Sequence, residues 1–188
     1  MNMGMKLHKK DILTIPNILS FFRIILIPFI VVLYVKYQRY GWTAFIILLS
    51  GLTDIVDGWI ARHFNMVSDF GKILDPISDK LTQAAILLCL VSRFPNMIYI
   101  FIFMAIKETA MGITGLLSIR YSGEVRGADW HGKLTTVMLY AMMLTHIVWY
   151  GIPGNVSDIL LLVVAGIMLV SLTLYCSRNV EMIKKNKK

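Results

Sequence analysis

Apolar residues fill this chain in long runs of one length class, and short polar clusters separate them. Six runs can be threaded, at about residues 18–37, 42–63, 70–92, 97–121, 131–150 and 156–177. A helix crossing a bilayer needs about 20 mostly apolar residues, so every run is long enough to span. The breaks carry turn chemistry: Gly41 after Lys36, Gln38, Arg39 and Tyr40; a tight connection over 65–68; Pro95 and Asn96 after Arg93; a Gly-rich, charged stretch over 122–130; and a turn over 151–155. Ser68 or Asp69 is a candidate N-cap for the third run. Residues 1–13 are polar and basic with scattered Met, Leu and Ile, which suits a short helix on an anionic lipid surface or a disordered tail. The run that follows is long, holds Arg23 and lacks a small-residue cleavage site, so it is expected to remain as a first helix rather than leave as a signal peptide. The expected fold is an all-α integral membrane protein with six transmembrane helices and a short N-terminal interfacial helix, one domain over 1–188.

Composition agrees, with 57% hydrophobic and 16% charged residues and a mean hydropathy of +0.68, too apolar for a soluble domain of 188 residues. The formal charge of +8 raises nucleic acid as a partner. The basic residues sit at the ends of apolar runs rather than among exposed aromatics, so membrane sidedness explains them and nucleic acid is not expected. With six spans, Lys6, Lys9, Lys10, Arg62, Lys72, Arg120, Arg126, Lys133, Arg178, Lys184, Lys185, Lys187 and Lys188 fall on one face, against Lys36, Arg39 and Arg93 on the other. Cytoplasmic segments carry the excess of Lys and Arg, which places both termini in the cytoplasm and the protein in the cell membrane as a multi-pass chain. Cys89 and Cys176 lack metal-type spacing and read as small buried hydrophobes.

Four aspartates stand out against this apolar background. Asp54 and Asp57 lie i, i+3 near the end of the second run, with Gly58, Ala61 and Arg62 following; Gly71, Asp75 and Asp79 lie i, i+4, i+8 at the start of the third. Two acidic stripes on neighbouring helices should therefore face each other at the cytoplasmic side. An Asp at mid-bilayer costs about 2.5–3.5 kcal/mol on insertion scales, so the four need partners, water or metal. Oxygen-only ligands favour a hard cation such as Mg²⁺, Mn²⁺ or Ca²⁺. Four carboxylates can hold two ions, which would neutralise a diphosphate and align an in-line displacement at phosphorus, leaving one carboxylate to take a proton from an incoming hydroxyl. Gly58, Ala61 and Gly71 remove side-chain bulk where a nucleotide would approach, and Arg62 offers a planar fork to phosphate. Pro76 is tolerated near a helix start, where one missing N–H matters little.

The order Asp54-x2-Asp57-Gly58-x2-Ala61-Arg62-x8-Gly71-x3-Asp75-x3-Asp79 resembles the signature of the CDP-alcohol phosphatidyltransferases with no position missing, and the Ile15-Pro16-Asn17 to Arg23 stretch and the six-helix plan match as well. The resemblance implies a homodimer, two divalent cations (Mg or Mn) and CDP-diacylglycerol as donor. Asp54, Asp57 and Asp75 would be metal ligands, with Asp79 a ligand of the second ion and the general base. Gly58, Ala61, Arg62 and Gly71 would border the cytidine and diphosphate, and Asn17 and Arg23 are further candidates for the donor's head. Within the family the chain looks most like the bacterial phosphatidylglycerophosphate synthases, which implies transfer of the phosphatidyl group to glycerol 3-phosphate with release of CMP. That anion would need basic neighbours, for which Lys107, Arg120, Arg126 and Lys133 are the candidates. The family's usual Arg-Glu pair in the fourth span stands here as Lys107-Glu108, and small residues around Gly115 occupy the place of an expected arginine. Cardiolipin synthases of the same fold, with phosphatidylglycerol as acceptor, are the main rival.

Other residues invite less. His63, His131 and His146 read as interfacial or isolated histidines, and Lys107 with Glu108 reads equally as a structural pair or a pocket pair. The alternative of another class is a small cation transporter, since intramembrane acids also line ion pathways. Acids gathered near one face favour a one-sided cavity over a pathway.

Overall fold

The computed structural model describes residues 14–64, 68, 70–122 and 130–186, without the side chains at 62, 72, 119–122 and 183–186. Every regular element among them is helical: α1 (Ile15–Val31), continued by a π-helical end (Val32–Lys36), then α2 (Tyr40–His63), α3 (Gly71–Val91), α4 (Met97–Ser122), α5 (Trp130–Val148) and α6 (Gly154–Asn186). These bounds fall within three residues of the six predicted runs at every end but the last. There α6 continues past 177 to Asn186, because Asn179 to Asn186 contains no Gly or Pro to stop it. The expected interfacial helix over 1–13 lies outside the described residues.

Four helices are long and apolar enough to cross a membrane: Ile15–Lys36, Tyr40–Ala61, Met97–Ser118 and Gly154–Met182. The sequence pattern put six in that class. The difference lies in α3, which carries Asp75, Asp79 and Lys80, and α5, which carries His131, Lys133 and His146. The outward faces carry long apolar stripes, as with Leu48, Leu52, Ile55 and Trp59 along one side of α2, each more than half exposed. A water-soluble surface does not carry such stripes, and the chain is a multi-pass membrane protein.

The chain divides into two compact units, 1–92 and 93–188. In the first, α1 packs against both α2 and α3. Its buried face changes character along its length: Asn17, Ser20 and Arg23 in the first half, then Leu26, Ile30 and Tyr34 at helical spacing in the second. The apolar half packs in a core that includes Ile47, Ile86, Leu87 and Leu90. The Tyr34 and Tyr40 rings meet edge to face at 5.2 Å across the turn from α1 to α2, where Gln38 takes a left-handed φ of 51°.

In the second unit α6 packs against both α4 and α5 around Met97, Ile100, Met104, Leu139, Met143, Ile147, Val164 and Met168. His146, alone in the sequence pattern, is fully buried and joins two helices. Its Nδ1 lies 2.8 Å from the Met142 carbonyl, which can only accept, so Nε2 at 2.9 Å accepts from the Ser157 hydroxyl of α6. Arg93 donates to the Tyr150 carbonyl and stacks on its ring, and Asn96 reaches Asp158 at 3.1 Å. Cys89 is buried and Cys176 half-buried, and neither forms a disulfide.

Candidate active site

The polar half of α1 and the acidic segments of α2 and α3 form one network. Arg23, with 2% of its side chain exposed, stands at its centre. Nη1 donates to Asp54 Oδ1, Nη2 donates to Asp57 Oδ2 at 3.1 Å, and Nη2 lies 3.9 Å from Asp75 Oδ1. One guanidinium thus draws together carboxylates from two helices. Asp57 is buried beside it, whereas the side chains of Asp54 and Asp75 are 48% and 39% exposed and form the open side of the cluster. Ser20 donates to Asp75 Oδ1 and also contacts the Pro16 carbonyl at 3.1 Å. Asp79, one turn beyond Asp75, accepts from Gln83 Nε2 at 2.9 Å and lies 3.9 Å from Lys80 Nζ.

Asn17 and Ser68 complete the floor. Ser68 Oγ accepts from Asn17 Nδ2 at 3.0 Å and from the Gly71 N–H at 2.9 Å, so it fills one of the open amide positions at the start of α3, although the N-cap position itself falls to Phe70 rather than to 68 or 69, because the helix begins at Gly71. A Cβ on Gly71 would stand 2.5 Å from Asn17 Oδ1 and 3.0 Å from Ser68 Oγ. The room that Gly71 leaves is taken by these two side chains, and the close passage of α1 over α3 depends on it. Gly58 and Ala61 are half-buried on α2, one and two turns beyond Asp54.

The acceptor candidates all belong to the second unit. Lys107 is buried at 4% exposure, and its Nζ lies 3.2 Å from Glu108 Oε1, which makes the two an ion pair. Lys133 is exposed on the first turn of α5. Arg126 and the side chains of Arg62 and Arg120 lie outside the described residues. His131, left out of the candidate set, has Nδ1 3.2 Å from Ser171 Oγ, and His63 stacks on Trp59 at 4.9 Å.

The donor set suits a hard cation. It is made of carboxylate oxygens alone, and three of the acids already converge on a positive centre. Among the described residues no three acidic, His or Cys side chains close around a single point, and the guanidinium of Arg23 pairs with Asp54 and Asp57 and lies 3.9 Å from Asp75. The pattern gave Ser68 only a capping role and did not single out Ser20 or Gln83. Ser20 had a visible signal, since Asn17, Ser20 and Arg23 recur at i, i+3, i+6 in an otherwise apolar helix.

A multi-pass helical protein with carboxylates from two helices gathered on a buried arginine of a third is the class that fold and site define. The model of the CDP-alcohol phosphatidyltransferase family matches residues 13–176, and the chain belongs to that family, whose members are phosphatidyltransferases of phospholipid biosynthesis. The CDP-diacylglycerol–glycerol-3-phosphate 3-phosphatidyltransferase of Bacillus subtilis is 30% identical over 189 residues, covering 90% of this chain and 97% of that protein. The cardiolipin synthase (CMP-forming) of Streptomyces coelicolor is 40% identical over 75 residues, 37% of this chain and 35% of that protein. A cardiolipin synthase and mitochondrial hydrolase fusion protein of Schizosaccharomyces pombe is 40% identical over 85 residues, 45% of this chain and 14% of its much longer partner.

Proposed function

We propose that the chain transfers the phosphatidyl group of CDP-diacylglycerol to glycerol 3-phosphate and releases CMP. The observation that carries this reading is the convergence of Asp54, Asp57 and Asp75 from two helices on one cationic position, with the exposed oxygens of Asp54 and Asp75 on the open side. Asp54, Asp57, Asp75 and Asp79 would hold two divalent ions, Mg²⁺ or Mn²⁺. Bound there, such ions supply charge neutralisation to a diphosphate and to the phosphate that leaves.

The chain's own residues would do the rest. Asp79, oriented by Gln83, takes the proton of the acceptor hydroxyl as its oxygen bonds to the phosphorus that bears diacylglycerol. The bond from that phosphorus to the bridging oxygen breaks, and the electron pair leaves with CMP. Gly58 and Ala61 border the nucleotide, Gly71 serves it indirectly by admitting Asn17 and Ser68 beside α3, and Arg62 pairs with its phosphate. Lys107, Arg120, Arg126 and Lys133 supply positive charge for the acceptor. All six helices cross the bilayer, α3 and α5 sheltered by their neighbours, with the acids facing the cytoplasm and the protein acting as a homodimer.

The test is CMP release by purified protein in detergent with Mn²⁺ or Mg²⁺, CDP-diacylglycerol and a panel of glycerol 3-phosphate, phosphatidylglycerol, inositol phosphate and serine. Release that depends on glycerol 3-phosphate is the expected result. The partial matches at 40% identity to two proteins named for cardiolipin synthesis favour a second reading, in which phosphatidylglycerol is the acceptor, and preference for it in the panel would select that reading. Ion flux without CMP release would overturn both.

A further inference from the structure

Arg23, a candidate for the donor's head by sequence, is occupied in the structure by the carboxylates. Its Nε is buried and has no hydrogen-bond partner, although a guanidinium carries five N–H donors. An unmade hydrogen bond on a buried charge is unfavourable, so the pull of the carboxylates, and not the satisfaction of its own donors, fixes where this side chain lies. Those carboxylates, Asp54, Asp57 and Asp75, are also three of the four proposed metal ligands. The guanidinium stands on the position toward which these three carboxylates converge.

We infer that Arg23 is a resident counter-cation that opposes the divalent ions at Asp54, Asp57 and Asp75, so that metal loads weakly on the protein alone and tightly only together with the anionic diphosphate donor. This rests on the metal-dependent reading above. Four aspartates and two divalent ions sum to zero charge, and Arg23 leaves the loaded site with one positive charge in a low-dielectric setting. A diphosphate diester brings two negative charges, which offset that excess and the charge of Lys80, 3.9 Å from Asp79 Oδ2. Without metal, the same guanidinium offsets repulsion among the acids and keeps the unit folded. Arg23 is thus a positioning residue that acts through the carboxylates and couples the entry of metal to the entry of donor.

The test is Mn²⁺ titration of the full-length protein in detergent without donor, followed by electron paramagnetic resonance, alongside thermal unfolding with and without Mn²⁺. Arg23→Gln should bind Mn²⁺ at least about tenfold more tightly than wild type, since a unit charge a few ångströms from a divalent ion is removed. Its melting temperature should be lower without metal and rise further on adding Mn²⁺. Arg23→Lys, which keeps the charge, should bind as weakly as wild type. A residue that merely braced the helices would give the opposite sign, weaker metal binding in Arg23→Gln. Equal or weaker binding by that variant overturns the inference and leaves the metal reading standing, whereas no Mn²⁺ binding by any of the three proteins overturns the metal reading itself. If Arg23→Gln folds only with Mn²⁺ present, a graded chelator wash replaces the titration. Retention of Mn²⁺ through a wash that strips wild type supports the inference, and loss at the same step overturns it.

Discussion

The spacing of the aspartates made three of the central residues legible before any helix was packed. Asp54, Asp57 and Asp75 sit where two facing acidic stripes would put them, but their common partner is Arg23, which sequence pattern ranked below Arg62. Pairing across helices depends on which helix lies between which, and a one-dimensional pattern does not carry that. Asp79 differs from the other three in being held by Gln83 on its own helix. Replacing it with Asn keeps an oxygen ligand and removes the base, so Asp79→Asn should retain Mn²⁺ and donor binding while turnover falls by about 10²–10⁴-fold. CMP release measured beside Mn²⁺ binding on the same preparation checks this, and near-normal turnover would remove Asp79 from the role of base. Gly71 gives a second residue-scale outcome. Gly71→Ala sets a methyl 2.5 Å from Asn17 Oδ1 and should cost about 1–3 kcal/mol of stability, as overpacking does. Asn17→Ala in the same chain should recover part of that loss, a coupling that thermal unfolding of the single and double variants would show.

Helix existence and bounds were legible because each apolar run ends in Gly, Pro or charge, and α6 overran because charge alone, at Arg178 and Glu181 with no Gly or Pro beside it, ends an apolar run but not a helix. The division of labour along α1 was only half legible. Its polar residues were visible near one end, but their role as the inner face shared by α2 and α3 follows from packing. The same holds for His146, which the pattern left isolated and which pins α5 to α6 through Ser157. His146→Leu should destabilise the protein by about 1–3 kcal/mol, the cost of leaving a buried hydroxyl without its partner. Because the change lies in the second unit, away from the acids in sequence, Mn²⁺ binding per folded molecule should remain at the wild-type level. A fall in metal affinity would show that the pin serves the site as well as the fold.

For the molecule as a whole, the charge pattern and the proposed orientation make a single statement that can be measured. Reporter fusions or cysteine labelling at 65–69, 123–129 and the C-terminal tail should report the cytoplasmic face, and at 36–40, 93–96 and 151–155 the opposite face. Labelling of 65–69 from outside intact cells would invert the assignment of the acids. Six spans rather than four follow only if α3 and α5 cross in the company of the others, and their lower hydropathy comes from Asp75, Asp79 and Lys80 in α3 and from His131, Lys133 and His146 in α5.

The placement of Arg23 also bears on how the chain enters the bilayer. α1 leaves the ribosome with a guanidinium near its middle, and the acids that neutralise it follow 31 and 34 residues later. A solitary arginine at that depth costs about 2.5–3.5 kcal/mol during insertion. The nascent segment therefore gains by waiting at the membrane surface until α2 has been synthesised, so that the two enter together as a hairpin with the ion pair already made.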